Sequence, residues 1–337
     1  MKYLLTGGAG FIGSHLAEEL LHRGNDVCVI DDLSTGQIKN IQHLKGLASF
    51  TYVIDSVLNR GLMAELVDDA DIVLHLAAAV GVKFVVESPV RTIETNVKGT
   101  EIVLELAAMK GKMVMIFSTS EVYGKSTHAC FAETDDLVLG PTSRGRWSYA
   151  ASKIVDECLA LAYYREKKLP VTVVRLFNTV GPRQTGRYGM VLPRFVDCAL
   201  SGRTITVYGD GAQVRTFTHV ADAIRAIIGL AECSGAIGEV FNVGGKESIS
   251  IRGLAELVKD VLQSSSSIEH IPYEEAYEHG FEDIERRVPN LSKIYQLIGF
   301  EAELTLQQII LDVASYHRKF AVAAAAAAGT VVRSSRE

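Results

Sequence analysis

Residues 7–15 read GGAGFIGSH, and the spacing of their glycines decides the fold. Gly7, Gly10 and Gly13 recur every third residue, and Gly8, Gly10 and Gly13 overlap them as a G-x-G-x-x-G. The apolar run YLLTG ahead of the loop reads as a buried strand, and the stretch from about Phe11 to Arg23 carries a helical pattern. A glycine loop between strand and helix allows a tight turn, lets backbone approach a pyrophosphate, and packs the helix close to the sheet. The helix N-terminus adds N–H groups and positive potential. Asp31 closes the next apolar run, DVCVID, at the position where a carboxylate can accept both ribose hydroxyls and repel a 2′-phosphate. The pattern therefore predicts a dinucleotide site that prefers NAD to NADP, with Asp32 as a surface neighbour.

Outward from this unit the alternation continues. A helix near Gly61 to Val67 precedes DIVLHLAA, and helices at about Arg91 to Lys110 and Tyr149 to Lys167 alternate with MVMIFSTS and VTVVRLFN. Strands alternating with crossover helices predict an α/β chain built on a Rossmann-type, doubly wound parallel sheet. From Gly181 the order loosens. Gly and Pro punctuate GPRQTGRYGMVLP, and the short runs ITVYG and EVFNVGG alternate with helices near 192–200, 220–232 and 251–263. The expected division is an NAD-binding domain over 1–178, with parts of 205–245 returning to it, and a smaller, discontinuous C-terminal lobe over 179–320. A low-complexity tail fills 321–337. No repeat is evident.

Composition narrows the function. A chain of 337 residues can bury a large core, and a formal charge of −6 with a pI near 5.9 lacks the basic excess of a nucleic-acid surface. Cys28, Cys130, Cys158, Cys198 and Cys233 are isolated in sequence, with no C-x-x-C pair and no metal-ligand spacing. Free thiols in a reducing cytoplasm, no metal and no membrane partner are the expectations.

In SYAASK, Tyr149 and Lys153 stand four residues apart and share one helix face. An ammonium near a phenol favours the phenolate, as does the positive charge of an oxidised nicotinamide, so Tyr149 can serve as a general base. By spacing alone, an amphipathic helix bearing an aromatic and a charge fits as well.

Taken with HLAA at 75–78, NVKGT at 96–100 and STSEVYG at 118–124, these motifs resemble the extended short-chain dehydrogenase/reductase family, and within it the nucleotide-sugar epimerases, dehydratases and decarboxylases. Matches continue in RLFNTVGPR at 175–183, VYGDGAQVRTFTHVADA at 207–223 and FNVGG at 241–245, so the resemblance spans residues 1 to about 320. It implies that Phe11, Ile12, Asp55, Leu76, Ala77, Ala78, Asn96, Tyr149 and Lys153 join Gly7, Gly10, Gly13 and Asp31 around NAD. Thr119 would hydrogen-bond the sugar O4 beside Tyr149. Asn178, Arg183 and Arg215 would hold the nucleotide-sugar, and for Arg215 there is an independent reason, since guanidinium binds phosphate bidentately. The segment around His219 and Asp222 reads as structural. Helices 91–110 and 149–167 resemble those that build a homodimer interface in this family.

Ser120 and Glu121 separate the chemistries. Dehydratases resemble this sequence but carry Asp-Glu there, and simple 4-epimerases carry small neutral residues. Ser-Glu resembles the nucleotide-glucuronate decarboxylases, as do GPTSRGRWSYAASK at 140–153 and GFEDIERRVPNL at 280–291, where Arg287 matches an arginine near the sugar carboxylate. The implied activity is an NAD-retaining UDP-glucuronate decarboxylation through a 4-keto sugar, in which Ser120 holds the carboxylate and Glu121 orients it or a water. A UDP-glucose or UDP-glucuronate 4-epimerase is the alternative. A non-catalytic dinucleotide-binding regulator is opposed by the intact Tyr149 and Lys153.

Overall fold

The computed structural model describes residues 1–80, 88–185, 190–276 and 283–319. The low-complexity tail at 321–337, residues 186–189 of the GRYGMVLPRF loop and residues 280–282 of GFEDIERRVPNL lie outside the described residues.

Six strands come first: β1 Lys2–Thr6, β2 Asp26–Ile30, β3 Phe50–Val53, β4 Ile72–His75, β5 Met113–Thr119 and β6 Val171–Leu176. Four short strands follow, β7 Thr179–Val180, β8 Ile205–Tyr208, β9 Val214–Thr216 and β10 Thr218–His219, before β11 Val240–Val243 pairs in parallel with β6. The main sheet is parallel throughout, in the order β11-β6-β5-β4-β1-β2-β3. Chain progression reverses between β1 and β4, so a crevice opens at the carboxyl ends of those two strands.

Strand side chains alternate between two apolar layers. Tyr3 and Leu5 of β1, with Val27 and Val29 of β2, face α1 (Phe11–His22) and the later helix at Val220–Ala231. Leu4, Cys28 and Val73 face α2 (Arg60–Asp69), α3 (Pro89–Lys110) and α4 (Trp147–Lys167). Alternating apolar faces of this kind are what a sheet covered on both sides demands. A separate cluster joins Leu192, Phe195 and Val196 to Val207, Leu254, Val258 and Ile310, near the small sheets β8–β13 (Ile268–Ile271) and β12-β9-β14 (Ser248–Ser250 and Arg286–Arg287 on either side of Val214–Thr216).

The sequence reading placed every strand of the main sheet except β3, which is four residues long and half exposed at the sheet edge. EVFNVGG supplies β11 in the main sheet. Helix ends fall within two residues of the pattern-based boundaries, for instance Trp147 against Tyr149.

A buried polar network fixes the chain after β5. Arg175 of β6 donates from Nη2 to Glu157 Oε2 at 2.7 Å and from Nη1 to the Tyr123 hydroxyl at 2.9 Å. Tyr123 in turn donates to Asn242 Oδ1 at 2.8 Å. Ser118 also donates to Glu157. Burial pushes the Tyr123 phenol up to about 12 against the pull of Arg175. Truncating one member of such a pair strands a buried charge. Glu157→Ala should cost about 3–5 kcal/mol of stability, read from urea unfolding; a loss near zero would show that the network does not hold the segment.

Candidate active site

A cleft of about 430 Å³ runs along the carboxyl ends of the parallel strands. The loop after β1 forms its floor. Gly7 has φ +71°, and a Cβ there would lie 2.9 Å from the backbone N of Ala77. A Cβ on Gly13 would lie 2.5 Å from Gly7 O, and one on Gly10 3.0 Å from it, so helix and turn meet at a separation only glycine allows. Gly8 serves the sheet, because its Cβ would strike Val29 at 2.5 Å. Gly7, Gly10, Phe11, Ile12 and Gly13 all line the cleft.

Asp31 follows β2 and is 8% exposed. One carboxylate oxygen accepts the N–H of Ala9 at 2.9 Å and the other that of Leu33 at 2.8 Å. Burial raises its carboxyl, and those two donors oppose the rise. The carboxylate is thereby aimed at the cleft with acceptor capacity to spare, while Asp32 is exposed. Asp55 after β3 also lines the cleft, as do Leu76, Ala77 and Ala78 after β4. The last three are held from behind. Thr6 Oγ1 accepts the Ala77 N–H at 3.1 Å and lies 2.8 Å from His75 Nδ1. Burial lowers the His75 imidazole to about 3, with Lys153 adding to the effect, so the ring is neutral. A glycine cradle with a ribose carboxylate at its far end fits a dinucleotide.

Asn96 stands behind the wall at 1% exposed. Its Oδ1 accepts from Ala79 N–H at 2.7 Å and its Nδ2 donates to Ser152 Oγ at 3.0 Å. Ser152 Oγ then donates to the Tyr149 carbonyl at 2.8 Å. The asparagine predicted at the cofactor thus ties the 76–79 loop to the helix that carries the tyrosine.

β5 delivers Thr119, Ser120 and Glu121 to the cleft, where Tyr149 of α4 meets them. Thr119 Oγ1 accepts the Glu121 N–H at 3.2 Å and shares a hydrogen bond with the Tyr149 hydroxyl. Gly124 ends this turn with φ +56°, and a Cβ there would lie 2.2 Å from Val138 O. Burial, then Glu121 and Asp156, raise the Tyr149 phenol, and the Thr119 bond opposes them. Lys153 lies behind the wall, 2% exposed, with Nζ 2.6 Å from Asp156 Oδ2. The ammonium expected to favour the phenolate is therefore already paired. Sequence reasoning missed Asp156, although a carboxylate three residues past Lys153 was a legible helical signal.

At the far end, Glu121 Oε1 accepts from Arg287 Nη1 at 3.3 Å and Oε2 from Arg146 Nη1 at 3.2 Å. Burial pushes the Glu121 carboxyl up, but Arg146 and Arg287 outweigh it and hold it below the usual range. Arg146 lies 3.7 Å from Asp283, which lies 3.1 Å from Arg215. Arg146 and Asp283 were present in quoted motifs without an assigned role; only their convergence reveals one. Arg215, expected at a phosphate, pairs with Asp283 in this structure. It is 4% exposed on β9, outside the cleft lining, with Nη1 on the carbonyl of Val214 at 2.9 Å. Burial, then Arg287, lower its guanidinium to about 10. Asn178 and Arg183 do line the cleft. Asn178 Nδ2 donates to Thr216 O at 2.8 Å, and Arg183 reaches Glu18 at 2.6 Å beside α1.

A family model described as NAD dependent epimerase/dehydratase family matches residues 3–244. A UDP-N-acetyl-alpha-D-glucosaminuronate decarboxylase from Bacillus cytotoxicus is 44% identical over 94% of this chain and 98% of its own. UDP-glucuronic acid decarboxylase 1 of Arabidopsis thaliana is 34% identical over 91% of this chain and 68% of its own. The crystal structure of UDP-glucuronic acid 4-epimerase from Bacillus cereus, in complex with UDP-glucuronic acid and NAD, superposes with a TM-score of 0.85 at 28% identity, covering 95% of this chain and 100% of that one.

Asp31→Ala removes the carboxylate that the cleft aims at the dinucleotide. It should weaken NAD binding by roughly tenfold or more and relax discrimination against NADP, as measured by calorimetry with both cofactors. Unchanged affinity for both would place the ribose contact elsewhere.

Proposed function

The chain belongs to the NAD dependent epimerase/dehydratase family, and on that footing we propose that it is an NAD-retaining decarboxylase of UDP-linked glucuronate-type sugars. The observation that carries the reading is the charge cluster beside Tyr149. Among the described residues, three guanidiniums (Arg146, Arg215, Arg287) meet two carboxylates (Glu121, Asp283) in this cluster. Arg287 Nε is buried without a hydrogen-bond partner among the described residues. An unmatched guanidinium donor at the cleft wall suits a sugar carboxylate, and a neutral hexose has no use for it.

Tyr149, steered by Thr119, takes the proton from the sugar C4 hydroxyl. Gly7, Gly10 and Gly13, with Asp31 at the far end, would hold NAD, which would supply reversible hydride acceptance at C4. The C4 ketone makes the C6 carboxylate a β-keto acid, so the C5–C6 bond breaks with loss of CO2 and its electron pair moves onto the C4 oxygen as an enolate. Ser120 and Arg287 hold the departing carboxylate, and Glu121 orients a water that protonates C5. Asn178 and Arg183 meet the nucleotide diphosphate. The 44% identity to the Bacillus decarboxylase makes the 2-acetamido sugar a substrate to test beside UDP-glucuronate.

Incubation with both UDP-uronates, UDP-glucose and UDP-galactose, followed by mass analysis, should show loss of one CO2 from a uronate. Arg287→Ala should weaken the uronate by roughly 10- to 100-fold and UDP-glucose far less. Interconversion of UDP-glucose and UDP-galactose with the uronates untouched would sink the decarboxylase reading. Uronate epimerisation without mass loss would keep the carboxylate site and remove the role given to Glu121.

A homodimer and a cytoplasmic location complete the proposal. Val90, Ile93 and Met109 of α3 and Val155 and Tyr164 of α4 leave large apolar side chains exposed, which supports pairing through these helices. Among the described residues no helix is long and apolar enough to cross a membrane. Light scattering at micromolar concentration should give twice the chain mass; a monomer would remove the dimer from the proposal.

A further inference from the structure

Arg146 carries no step of the chemistry set out above, yet it is the more deeply buried of the two arginines on Glu121, its side chain 6% exposed against 15% for Arg287. It stands at the start of α4, three residues before Tyr149. Trp147 packs beside it, with the ring 5.4 Å from the guanidinium centre. That indole is 3% exposed because Gly140 leaves it room, since a Cβ there would lie 2.2 Å from Trp147 Nε1. From this seat Arg146 Nη1 reaches Glu121 Oε2 at 3.2 Å, while Arg287 Nη1 reaches Oε1 at 3.3 Å.

We propose that Arg146 determines specificity for an anionic sugar: it stays on Glu121 as counter-ion when Arg287 turns to the sugar carboxylate. The inference rests on the uronate reading given above.

Counting charges gives the reason. Without ligand, each oxygen of Glu121 meets one guanidinium. A sugar carboxylate brought to Arg287 adds a second anion. Arg287 has donors enough for both carboxylates, but its single charge does not offset two of them in a cleft poor in water, where like charges a few ångströms apart repel strongly. Arg146 supplies the second cation. Asp283 does not draw it away, because Arg215 lies 3.1 Å from Asp283 against 3.7 Å for Arg146, and the Tyr273 hydroxyl donates to Asp283 at 3.1 Å. Burial alone would raise the Glu121 carboxyl, and Arg146 opposes that rise ahead of Arg287. A neutral hexose adds no anion, so its binding makes no such demand on Arg146.

The test reads affinities by calorimetry on the chain loaded with NADH, which accepts no hydride and so leaves a uronate intact. Each UDP-uronate is titrated beside the neutral UDP-hexose that carries the same C2 group. Arg146→Gln should weaken the uronate by roughly tenfold or more and the neutral sugar far less. Adding Glu121→Gln to that variant should bring the uronate back to within about threefold of wild type, because the anion left without its partner is gone. An arginine that touched the sugar carboxylate itself, or that only held the fold, would not be rescued by this second change. A double variant that is not restored therefore overturns the inference, as does an Arg146→Gln chain that keeps its uronate affinity. If Arg146→Gln does not fold, the double variant decides, since neutral groups replace both partners of the pair: retained preference for the uronate supports the inference and lost preference overturns it. A wild type that binds neutral sugars as tightly as uronates removes the uronate reading and this inference with it, whereas a wild type that prefers the uronate beside an unaffected Arg146→Gln removes only the role of Arg146.

Discussion

Glu121 sits between two guanidiniums, Lys153 against Asp156, Arg215 against Asp283 and Arg175 against Glu157. The shared constraint is that a charge withdrawn from water costs several kcal/mol unless an opposite charge or several hydrogen bonds meet it. Lys153 and Asp156 share one turn of α4, whereas the other pairs join different combinations of strand end, helix and distant loop. Satisfying them together fixes how β5, α4, β9 and β14 approach one another, and so fixes the cleft between them. The apolar layers on both faces of the sheet supply the bulk of the burial, but they would tolerate small shifts that the ion pairs would not.

The two ends of the cleft are built by different means. At the dinucleotide end the protein presents backbone, with glycines whose missing side chains let Gly7, Gly13 and Ala77 nearly touch. The supporting residues there are small and neutral: Thr6 and His75 under Ala77, and Asn96 between Ala79 and Ser152. At the other end, around Glu121, it presents charge. Asn96 and Ser152 join the ends, because the same hydrogen-bonded chain that seats the loop after β4 also reaches the Tyr149 carbonyl. The loop after β4 and the helix turn that carries Tyr149 are therefore held by one hydrogen-bonded chain.

The local charge balance distinguishes this site from a bare tyrosine-lysine pair. Burial, Glu121 and Asp156 all act to keep the phenol protonated, with Thr119 acting the other way. The carboxylate of Glu121, by contrast, is kept ionised by arginines 25 and 166 residues further along the chain. A neutral acid and a fixed anion in the same cleft give the two groups distinct roles at one pH.

The sequence by itself determined the parallel sheet, the glycine loop, Asp31 and the Tyr149–Lys153 face, because each follows from local spacing. A strand-turn-helix with close backbone approach needs glycine at set intervals, and helical periodicity places residues four apart together. Gly7, Gly10, Gly13, Asp31, Thr119, Ser120, Glu121, Tyr149 and Arg287 all come to the cleft wall. β3 escaped notice because a four-residue edge strand with one buried face leaves little pattern to read. Only the tertiary structure decided that Arg215 pairs with Asp283, that Arg146 shares Glu121 with Arg287, and that Asn96 works from behind the wall. Those outcomes depend on which charges the fold brings within a few ångströms of each other across as many as 166 residues of chain, and Coulomb interactions at that separation leave no periodicity in the sequence.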